Sequence, residues 1–249
     1  MTGWPDGYGR RVLAEVDSTN AEALRLAPGL AGPEWVLAHR QTAGRGRRGR
    51  AWKNPLGNFS ATLLLPDPGP PERAALRSFV SSLALFDAFV AAGGRAQGLT
   101  LKWPNDVLLN GGKVAGILLE SAGQPGAPAP LAIGIGVNLV TAPAPETVEA
   151  GALRPVSLMS ETGIAPTPEE FLDLLASAYA RFEAQFATHG FGSIRTAWLA
   201  RAARLGEVVT ARTGRDEFTG TFETVDEAGN LVLRTAESRR AIAAAEVFF

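Results

Sequence analysis

The segment 99–139 constrains the fold more than any other part of this chain. "DVLLNGGKVAGILLE" (106–120) places an Asn-Gly step between two apolar runs, and further apolar runs occupy 99–103 and 131–139. An Asn-Gly step in this setting is typical of the tight turn of a β-hairpin. The segment is therefore predicted to be a β-rich block built around one hairpin.

Apolar stripes with helical or strand spacing lie on both sides of this block. "PERAALRSFVSSLALFDAFVAAGG" (71–94) opens with a proline and closes with two glycines, which predicts a long helix. Its apolar face contains Leu76, Phe79, Val80, Leu83, Phe86 and Val90. The patterns also predict a strand end that leads into a helix over 16–27, strands over 34–40 and 58–65, and helices over about 168–187 and 191–204. Thr19 and Glu22 have the spacing of a capping box.

The sequence changes character after Leu205. About five short alternating runs follow, with turn signals at 213–214 and 228–230, which is the pattern of a small β-barrel. We therefore predict two domains, one over 1–204 and one over 205–249.

Composition excludes several classes of site. The 249 residues include no cysteine, so disulfides, thiolate metal sites and cysteine nucleophiles are ruled out. His39 and His189, the two histidines, are too few and too far apart in sequence to indicate zinc. The net charge is −1, and residues 1–11 contain no apolar signal segment. We expect a cytoplasmic protein with no membrane association.

The most unusual segment is "QTAGRGRRGRAW" (41–52), here called the arginine loop. Its glycines satisfy G-x-G-x-x-G, but Pro55 and Gly57 follow where a dinucleotide-binding fingerprint requires a helix. A solvated loop or a nucleic-acid-binding arm would explain the charge alone. Glycines that alternate with arginines favour instead a loop that wraps a small polyanion, because glycine permits close backbone approach and arginine binds carboxylate and phosphate oxygens.

A second polar group interrupts the β-rich block. Lys102, Asn105 and Asp106 lie between two apolar runs, and Lys113 follows the Asn-Gly turn. Asn105 and Asp106 could simply form a turn, and Lys113 could simply be a charged residue at a strand edge. The arginine loop makes a shared anion site the stronger interpretation.

"DSTN" (17–20), the arginine loop, "KWPNDVLL" (102–109), "KVAGILLE" (113–120) and "IGIGVNL" (133–139) together resemble the biotin protein ligases. The resemblance covers most of the chain and implies an α/β catalytic domain on a mixed sheet, of the biotin/lipoate-ligase type, followed by a small SH3-like β-barrel. Only sixteen residues precede "DSTN", so the DNA-binding domain of the repressor-type members is not expected, nor is transcriptional repression.

The resemblance implies a reaction in two steps. ATP, with Mg²⁺, activates biotin as biotinyl-5′-AMP, and a lysine of a biotin carboxyl carrier protein then accepts the biotinyl group. Nucleic acid is not an expected partner, and a homodimer is left open. A lipoate–protein ligase of the same fold family is the nearest alternative, and a nucleic-acid-binding module that uses the arginine loop is an alternative of another class.

Matching motif to motif, the resemblance assigns roles to named residues. The catalytic set is Arg45, Arg47, Lys113 and Asp106. The biotin-binding set is Ser18, Thr19, Gln41, Gly44, Arg47, Trp52, Lys113 and Gly116. The adenylate-binding set is Arg45, Asn138 and Trp52, whereas the metal ligands stay unknown.

Some positions receive no clear role from the resemblance. Residues 139–170 contain no aromatic residue, so the cover over adenine is expected to be weaker, purely aliphatic or built from another element, with Val156 the nearest match. Trp52 could also be a core aromatic. Arg48 and Arg50 have no assigned role and are expected to be solvated. The arginine loop as a whole is expected to be mobile without ligand and ordered with it.

Overall fold

The computed structural model describes residues 3–93, 95–122, 129–144, 146, 148 and 153–249. Its strands are β1 (Gly9–Val16), β2 (Glu34–Gln41), β3 (Phe59–Leu65), β4 (Leu99–Lys102), β5 (Asp106–Leu109), β6 (Gly112–Ser121), β7 (Leu131–Val137), β8 (Val208–Arg212), β9 (Glu217–Val225), β10 (Leu231–Arg234), β11 (Arg239–Ile242) and β12 (Glu246–Phe248). Its α-helices are α1 (Thr19–Leu26), α2 (Pro71–Ala75), α3 (Arg77–Gly93), α4 (Leu158–Thr162), α5 (Pro168–His189) and α6 (Phe191–Leu199).

The first seven strands form one sheet in the order β1-β2-β3-β7-β6-β5-β4. β1 and β2 pair in parallel, and the other neighbours are antiparallel, so the sheet is mixed as predicted. β5 and β6 form the predicted hairpin, with Asn110 at φ 49° and Gly111 at φ 77°. Positive φ at both central residues is what an Asn-Gly hairpin turn requires.

The last five strands form a second, antiparallel sheet in the order β11-β10-β9-β8-β12. The predicted small β domain is therefore present. Within the described residues β11 and β12 are its edges and do not pair with each other, so strand pairing leaves the sheet open. The domain boundary at residues 204 and 205 stays a prediction.

The two faces of the first sheet are covered by different helices. Leu37, Leu63 and Ile133 pack with the layer of α3 and α5, and Val36 and Leu64 pack with α1 on the opposite face. This alternation follows from the two-residue period of a strand. The predicted apolar face of α3 is buried, with Val80 and Leu83 at 0% exposure.

The two sheets share one apolar core. The Trp198 ring of α6 lies 5.3 Å from Phe79 of α3 and 6.5 Å from Phe222 of β9, measured between ring centroids. Trp103 Nε1 also donates a hydrogen bond of 3.0 Å to the carbonyl of Gly229, in the turn between β9 and β10. These contacts fix the second sheet beside the end of β4.

Several elements differ from the sequence predictions, and the single helix predicted over 71–94 is divided at Leu76 into α2 and α3. β1 is a full strand, although only its end was predicted, because five of its eight residues are exposed and give a weak pattern. α4 was not predicted, since it has only five residues. α6 ends at Leu199 and not at residue 204.

One segment of the described chain, Pro71–Gly93, is long and apolar enough to cross a membrane by length and composition alone. Of its most apolar window, 67% is buried inside the protein, as in the core helix of a folded domain.

We predict that Trp198→Ala destabilises both sheets together. Trp198 is 1% exposed and contacts aromatic rings from both layers, so the cavity should lower the free energy of unfolding by about 3–5 kcal/mol. Urea unfolding followed by far-ultraviolet circular dichroism and by tryptophan fluorescence should give coincident transitions. Thr196→Ala on the exposed side of α6 is the control, and two separated transitions in the wild type would contradict a shared core.

Candidate active site

A cavity of about 560 Å³ lies between the amino end of α1, the arginine loop, strands β5 to β7 and the carboxyl end of the chain. This volume is typical of a small-molecule pocket. All of the predicted site residues except Gly44 line it, namely Ser18, Thr19, Gln41, Arg45, Arg47, Trp52, Asp106, Lys113, Gly116 and Asn138.

The arginine loop folds back on itself above this cavity. Gly46 N–H donates to the carbonyl of Arg50 at 2.7 Å, and Trp52 N–H donates to the carbonyl of Gly44 at 2.9 Å. A Cβ at Gly44 would lie 2.6 Å from the Trp52 carbonyl oxygen, so Gly44 shapes the loop from behind the lining. A single 3₁₀ turn, Arg47–Gly49, takes the place of the helix that a dinucleotide site would need.

Carboxylates hold the arginine loop on both sides. Glu120 of β6 lies 3.5 Å from Arg45, and Glu246 of β12 accepts hydrogen bonds from Arg48 at 3.2 Å and from Arg50 at 2.9 Å. Arg48 and Arg50 are therefore not simply solvated, as was expected from the sequence, because both form ion pairs with Glu246. Hydrogen bonds from Arg50, above all, hold the pKa of Glu246 below its ordinary value.

Arg47 points inward from the same loop. Its guanidinium donates to Asn105 Oδ1 at 3.2 Å and to the carbonyl of Ala245 at 3.3 Å. Burial lowers the pKa of Arg47, and the nearby charge of Asp106 opposes that shift. Since arginine stays protonated in proteins, Arg47 brings a partly desolvated positive charge to the cavity.

A β-bulge brings Lys113 to the cavity. The β5–β6 register shifts between Val107 and Leu108, so that Lys113 and Gly116 reach the same lining although regular alternation would separate them. Lys113 Nζ lies 2.7 Å from Asp106 Oδ1, as a close electrostatic contact more than a well-directed hydrogen bond. A Cβ at Gly116 would lie 3.3 Å from this ammonium, so glycine leaves room for it.

The opposite end of the cavity carries neutral polar groups. Gln41 Oε1 accepts hydrogen bonds from Thr19 N–H at 2.8 Å and from the Thr19 hydroxyl at 3.1 Å, and Gln41 Nε2 donates to Ser60 Oγ at 3.1 Å. Thr19 therefore does not form the predicted capping box with Glu22; Ser18 is the N-cap of α1 and makes no side-chain capping bond. These bonds fix the Gln41 amide and leave one of its N–H groups available.

Trp52 lies over the sheet and not in the core. Its indole packs directly on Gly136 of β7, where a Cβ would come within 2.3 Å of the ring. The ring centroid is 5.8 Å from Lys113 Nζ, which is within cation–π distance. The geometry therefore favours the ligand-side interpretation of Trp52.

Asn138 is a structural tie as well as a lining residue. It is 3% exposed, and its side-chain amide donates to the carbonyl of Val156 at 3.0 Å. The predicted contact between Asn138 and adenine stays a prediction. The lining near it is aliphatic, with Pro143, Val148, Leu153 and Pro155, and the aromatic residues Phe248 and Phe249 approach from the carboxyl end of the chain.

Several lining residues were given no role by the sequence. Asn20 and Lys102 stand inside quoted motifs, so motif membership could have indicated them. Ser60 and Glu246 carry no such signal, because one is a buried position in an apolar strand and the other reaches the arginine loop from 196 residues further along the chain. Within the described part of the chain, no group of three or more His, Cys, Asp or Glu side chains could hold a metal ion.

The mixed sheet and its cationic cavity define a protein ligase fold, and the chain belongs to the Biotin/lipoate A/B protein ligase family, which matches residues 12–138. A second match, to the Biotin protein ligase C terminal domain, covers residues 205–249. The combination places the chain on the biotin side of that family.

Individual relatives agree with this placement. The Biotin–[acetyl-CoA-carboxylase] ligase of Paracoccus denitrificans is 62% identical over 96% of this chain and 99% of its own length. The Bifunctional ligase/repressor BirA of Bacillus spizizenii is 31% identical over 93% of this chain and 71% of its own length. A solved structure of biotin protein ligase from Aquifex aeolicus, in complex with biotin and ATP, superposes with a TM-score of 0.82 at 28% identity, covering 96% of this chain and 97% of that one.

We predict that Glu246→Gln loosens the arginine loop. The substitution removes the carboxylate charge that Arg48 and Arg50 share, and these ion pairs are partly exposed. The free energy of opening the loop should therefore fall by about 1 kcal/mol, and amide exchange over 45–51 should become about fivefold faster. Because the pKa of Glu246 is lowered, the wild-type contact should persist below the pH at which an ordinary glutamate protonates, and be lost only at still lower pH.

Hydrogen exchange by mass spectrometry and limited trypsin cleavage after Arg48 and Arg50 both report on this loop. Glu223→Gln, which removes an ion pair with Arg239 of β11 at the other edge of the second sheet, is the matched control. Equal protection of the loop in Glu246→Gln and the wild type would show that Glu246 does not restrain it.

Proposed function

We propose that this protein is a biotin protein ligase. It condenses biotin with ATP to give biotinyl-5′-AMP and pyrophosphate, and it then transfers the biotinyl group to a specific lysine of a biotin carboxyl carrier protein. The observation that carries the proposal is the division of one cavity into a neutral hydrogen-bonding end at Gln41 and a cationic end at Arg47 and Lys113.

The cationic end suits the first step. A carboxylate oxygen of biotin attacks the α-phosphorus of ATP, an O–P bond forms, and the bond to the pyrophosphate leaving group breaks. Both reactants are anions, so cations between them lower the energy of the encounter and of the transition state. Arg45, Arg47 and Lys113 supply that charge, and the step needs no residue to move a proton.

The neutral end suits the bicyclic head of biotin. Its ureido group both donates and accepts hydrogen bonds, and its rings are apolar. The remaining N–H of Gln41 and the hydroxyl of Ser18, which bonds to no described side chain, are available at this end. Thr19 contributes by holding Gln41 in orientation.

The second step needs an amine near the carbonyl of the adenylate. The acceptor lysine attacks that carbonyl as a neutral amine, the C–N bond forms as the bond to AMP breaks, and the nitrogen gives up a proton to water. Asp106 orients the Lys113 ammonium through their 2.7 Å contact, which keeps one cation beside the departing AMP phosphate. The related Paracoccus denitrificans ligase is named for acetyl-CoA carboxylase, so a carrier domain of that carboxylase is the proposed acceptor.

Mg²⁺ is proposed to arrive with ATP. The described residues offer no ready-made cluster of ligands, and Mg²⁺ usually binds through substrate phosphates, water and one or two carboxylates. Its contribution would be further neutralisation of the triphosphate. A cytoplasmic location is part of the same proposal.

Lipoate–protein ligation is the nearest alternative. The match of residues 205–249 to the C-terminal domain of biotin protein ligases favours biotin. Nucleic-acid binding by the arginine loop is disfavoured, since Arg45, Arg48 and Arg50 already contact carboxylates of the same chain.

We predict biotin-dependent exchange of labelled pyrophosphate into ATP. Exchange should depend on biotin and should not be supported by lipoate at the same concentration. The assay measures the reversible first step without an acceptor protein. Exchange with lipoate and none with biotin would overturn the proposed substrate.

We predict that Lys113→Ala slows adenylate formation by about 100- to 1,000-fold, because one preorganised cation is lost from the transition state. Lys113 is one-third exposed, so the melting temperature should change little. Single-turnover formation of biotinyl-5′-AMP measures the rate. Arg40→Ala, which removes an exposed cation paired with Glu15 outside the cavity, is the control, and a wild-type rate in Lys113→Ala would remove that residue from the reaction.

A further inference from the structure

Lysine is rare in this chain and is concentrated at one place. The sequence has three lysines, Lys53, Lys102 and Lys113, beside 21 arginines. All three line the cavity, whereas among the described residues only four arginines do. Lysine presents a compact ammonium with three donors, which suits a phosphate as a point charge. Two of the three lysines have no role in the family resemblance.

Lys102 is the most buried of these cations. The residue is 7% exposed, and its ammonium nonetheless lies on the cavity lining. Its closest carboxylate is Asp106, whose Oδ2 lies 4.0 Å away, beyond hydrogen-bond distance. The ring of Phe249 lies 5.5 Å from the ammonium. No described residue accepts a hydrogen bond from Lys102 Nζ, so its donors face the cavity without a partner.

The charge around Lys102 is not balanced. Asp106 is the one carboxylate in contact with both Lys102 and Lys113, and Arg47 adds a third cation to the same group. Burial lowers the pKa of Lys102, and Asp106 only partly offsets this effect. A buried cation without full compensation costs folding free energy, so its presence in a cavity indicates a site for an anion.

We propose that Lys102 binds the β- and γ-phosphates of ATP and then the pyrophosphate that leaves in the first step. This inference rests on the proposed ligase function and adds a substrate-contacting residue to it. When the bond between the α-phosphorus and the bridging oxygen breaks, negative charge moves onto pyrophosphate. The Lys102 ammonium stabilises that charge, while Lys113 and Arg47 stay with the α-phosphate and the biotin carboxylate.

Four of the other cations that line the cavity already contact carboxylates, Arg47 donates to Asn105 and Ala245, and Lys53 is exposed, which is why Lys102 is assigned to the leaving group. Arg45 contacts Glu120, Arg48 and Arg50 contact Glu246, and Lys113 contacts Asp106 at 2.7 Å. Lys102 differs from all of these in having free donors at a buried position. An added phosphate would supply the missing hydrogen bonds.

The test compares Lys102→Met with the wild type in the intact protein. Methionine keeps the length of the side chain and removes its charge. We expect the KM for ATP and the inhibition constant for pyrophosphate to rise by about 10- to 100-fold, the loss expected for a charge-assisted hydrogen bond. Biotin affinity and transfer from added biotinyl-5′-AMP to a carrier domain should stay at wild-type levels, because neither involves the β- and γ-phosphates.

A purely structural role for Lys102 predicts a different pattern. ATP use, biotin affinity and transfer from added biotinyl-5′-AMP would then fall together, with a lower melting temperature. Our inference predicts a melting temperature at or above that of the wild type, since an uncompensated buried charge is removed. Arg201→Met is the control, because it removes a half-buried cation that stacks on Phe86 away from the cavity.

The two proposals fail in different ways. If the wild type shows no biotin-dependent pyrophosphate exchange, the ligase function itself is wrong. If the wild type is active and Lys102→Met retains its KM for ATP and its inhibition by pyrophosphate, only the role of Lys102 is wrong.

Discussion

Three carboxylates form ion pairs with the cations around the cavity, and each carboxylate lies on a different strand. Asp106 begins β5 and holds Lys113, Glu120 near the end of β6 holds Arg45, and Glu246 at the start of β12 holds two arginines of the loop. A loop with four arginines in seven residues would otherwise be expelled into solvent by its own repulsion. Both sheets must therefore be in place before the loop can lie over the cavity, which makes the second sheet part of the site.

Close backbone approach is the other requirement of the site. Gly44 lets the arginine loop fold against Trp52, Gly136 lets the indole lie on β7, and Gly116 leaves room for the Lys113 ammonium. In each case a Cβ would contact the group that the site positions. Because the glycines remove side chains and the carboxylates fix charges, the loop can be both cationic and ordered.

The parts of the structure that follow local rules could be predicted from the sequence. The Asn-Gly hairpin, the buried face of α3 and the run of short strands after Leu205 each depend on residues near one another in the chain. The predicted capping box at Thr19 was wrong because a distant side chain, Gln41, binds the Thr19 hydroxyl instead.

In the site, Glu246 had no local signal in the sequence, since its partners lie 196 and 198 residues away. The convergence of the predicted site residues on one cavity depended on family motifs and not on periodicity, and the β-bulge that brings Lys113 beside Asp106 shows why. A period of two places residues 113 and 116 on opposite faces of a strand, so no reading of the pattern alone could bring both to one lining.

The positive charge that carboxylates leave uncompensated in the cavity lowers the stability of the fold and favours the binding of an anionic substrate. Carboxylates bind the exposed arginines closely, whereas Arg47, Lys102 and Lys113 all lie near Asp106, and of these only Lys113 approaches it within hydrogen-bond distance. A second carboxylate at this depth would stabilise the folded protein, yet it would occupy the donors and repel a triphosphate. The uncompensated positive charge beside Asp106 therefore lowers the stability of the folded protein. An anionic substrate compensates this charge when it binds, and the free energy gained helps to hold the reacting phosphates in place.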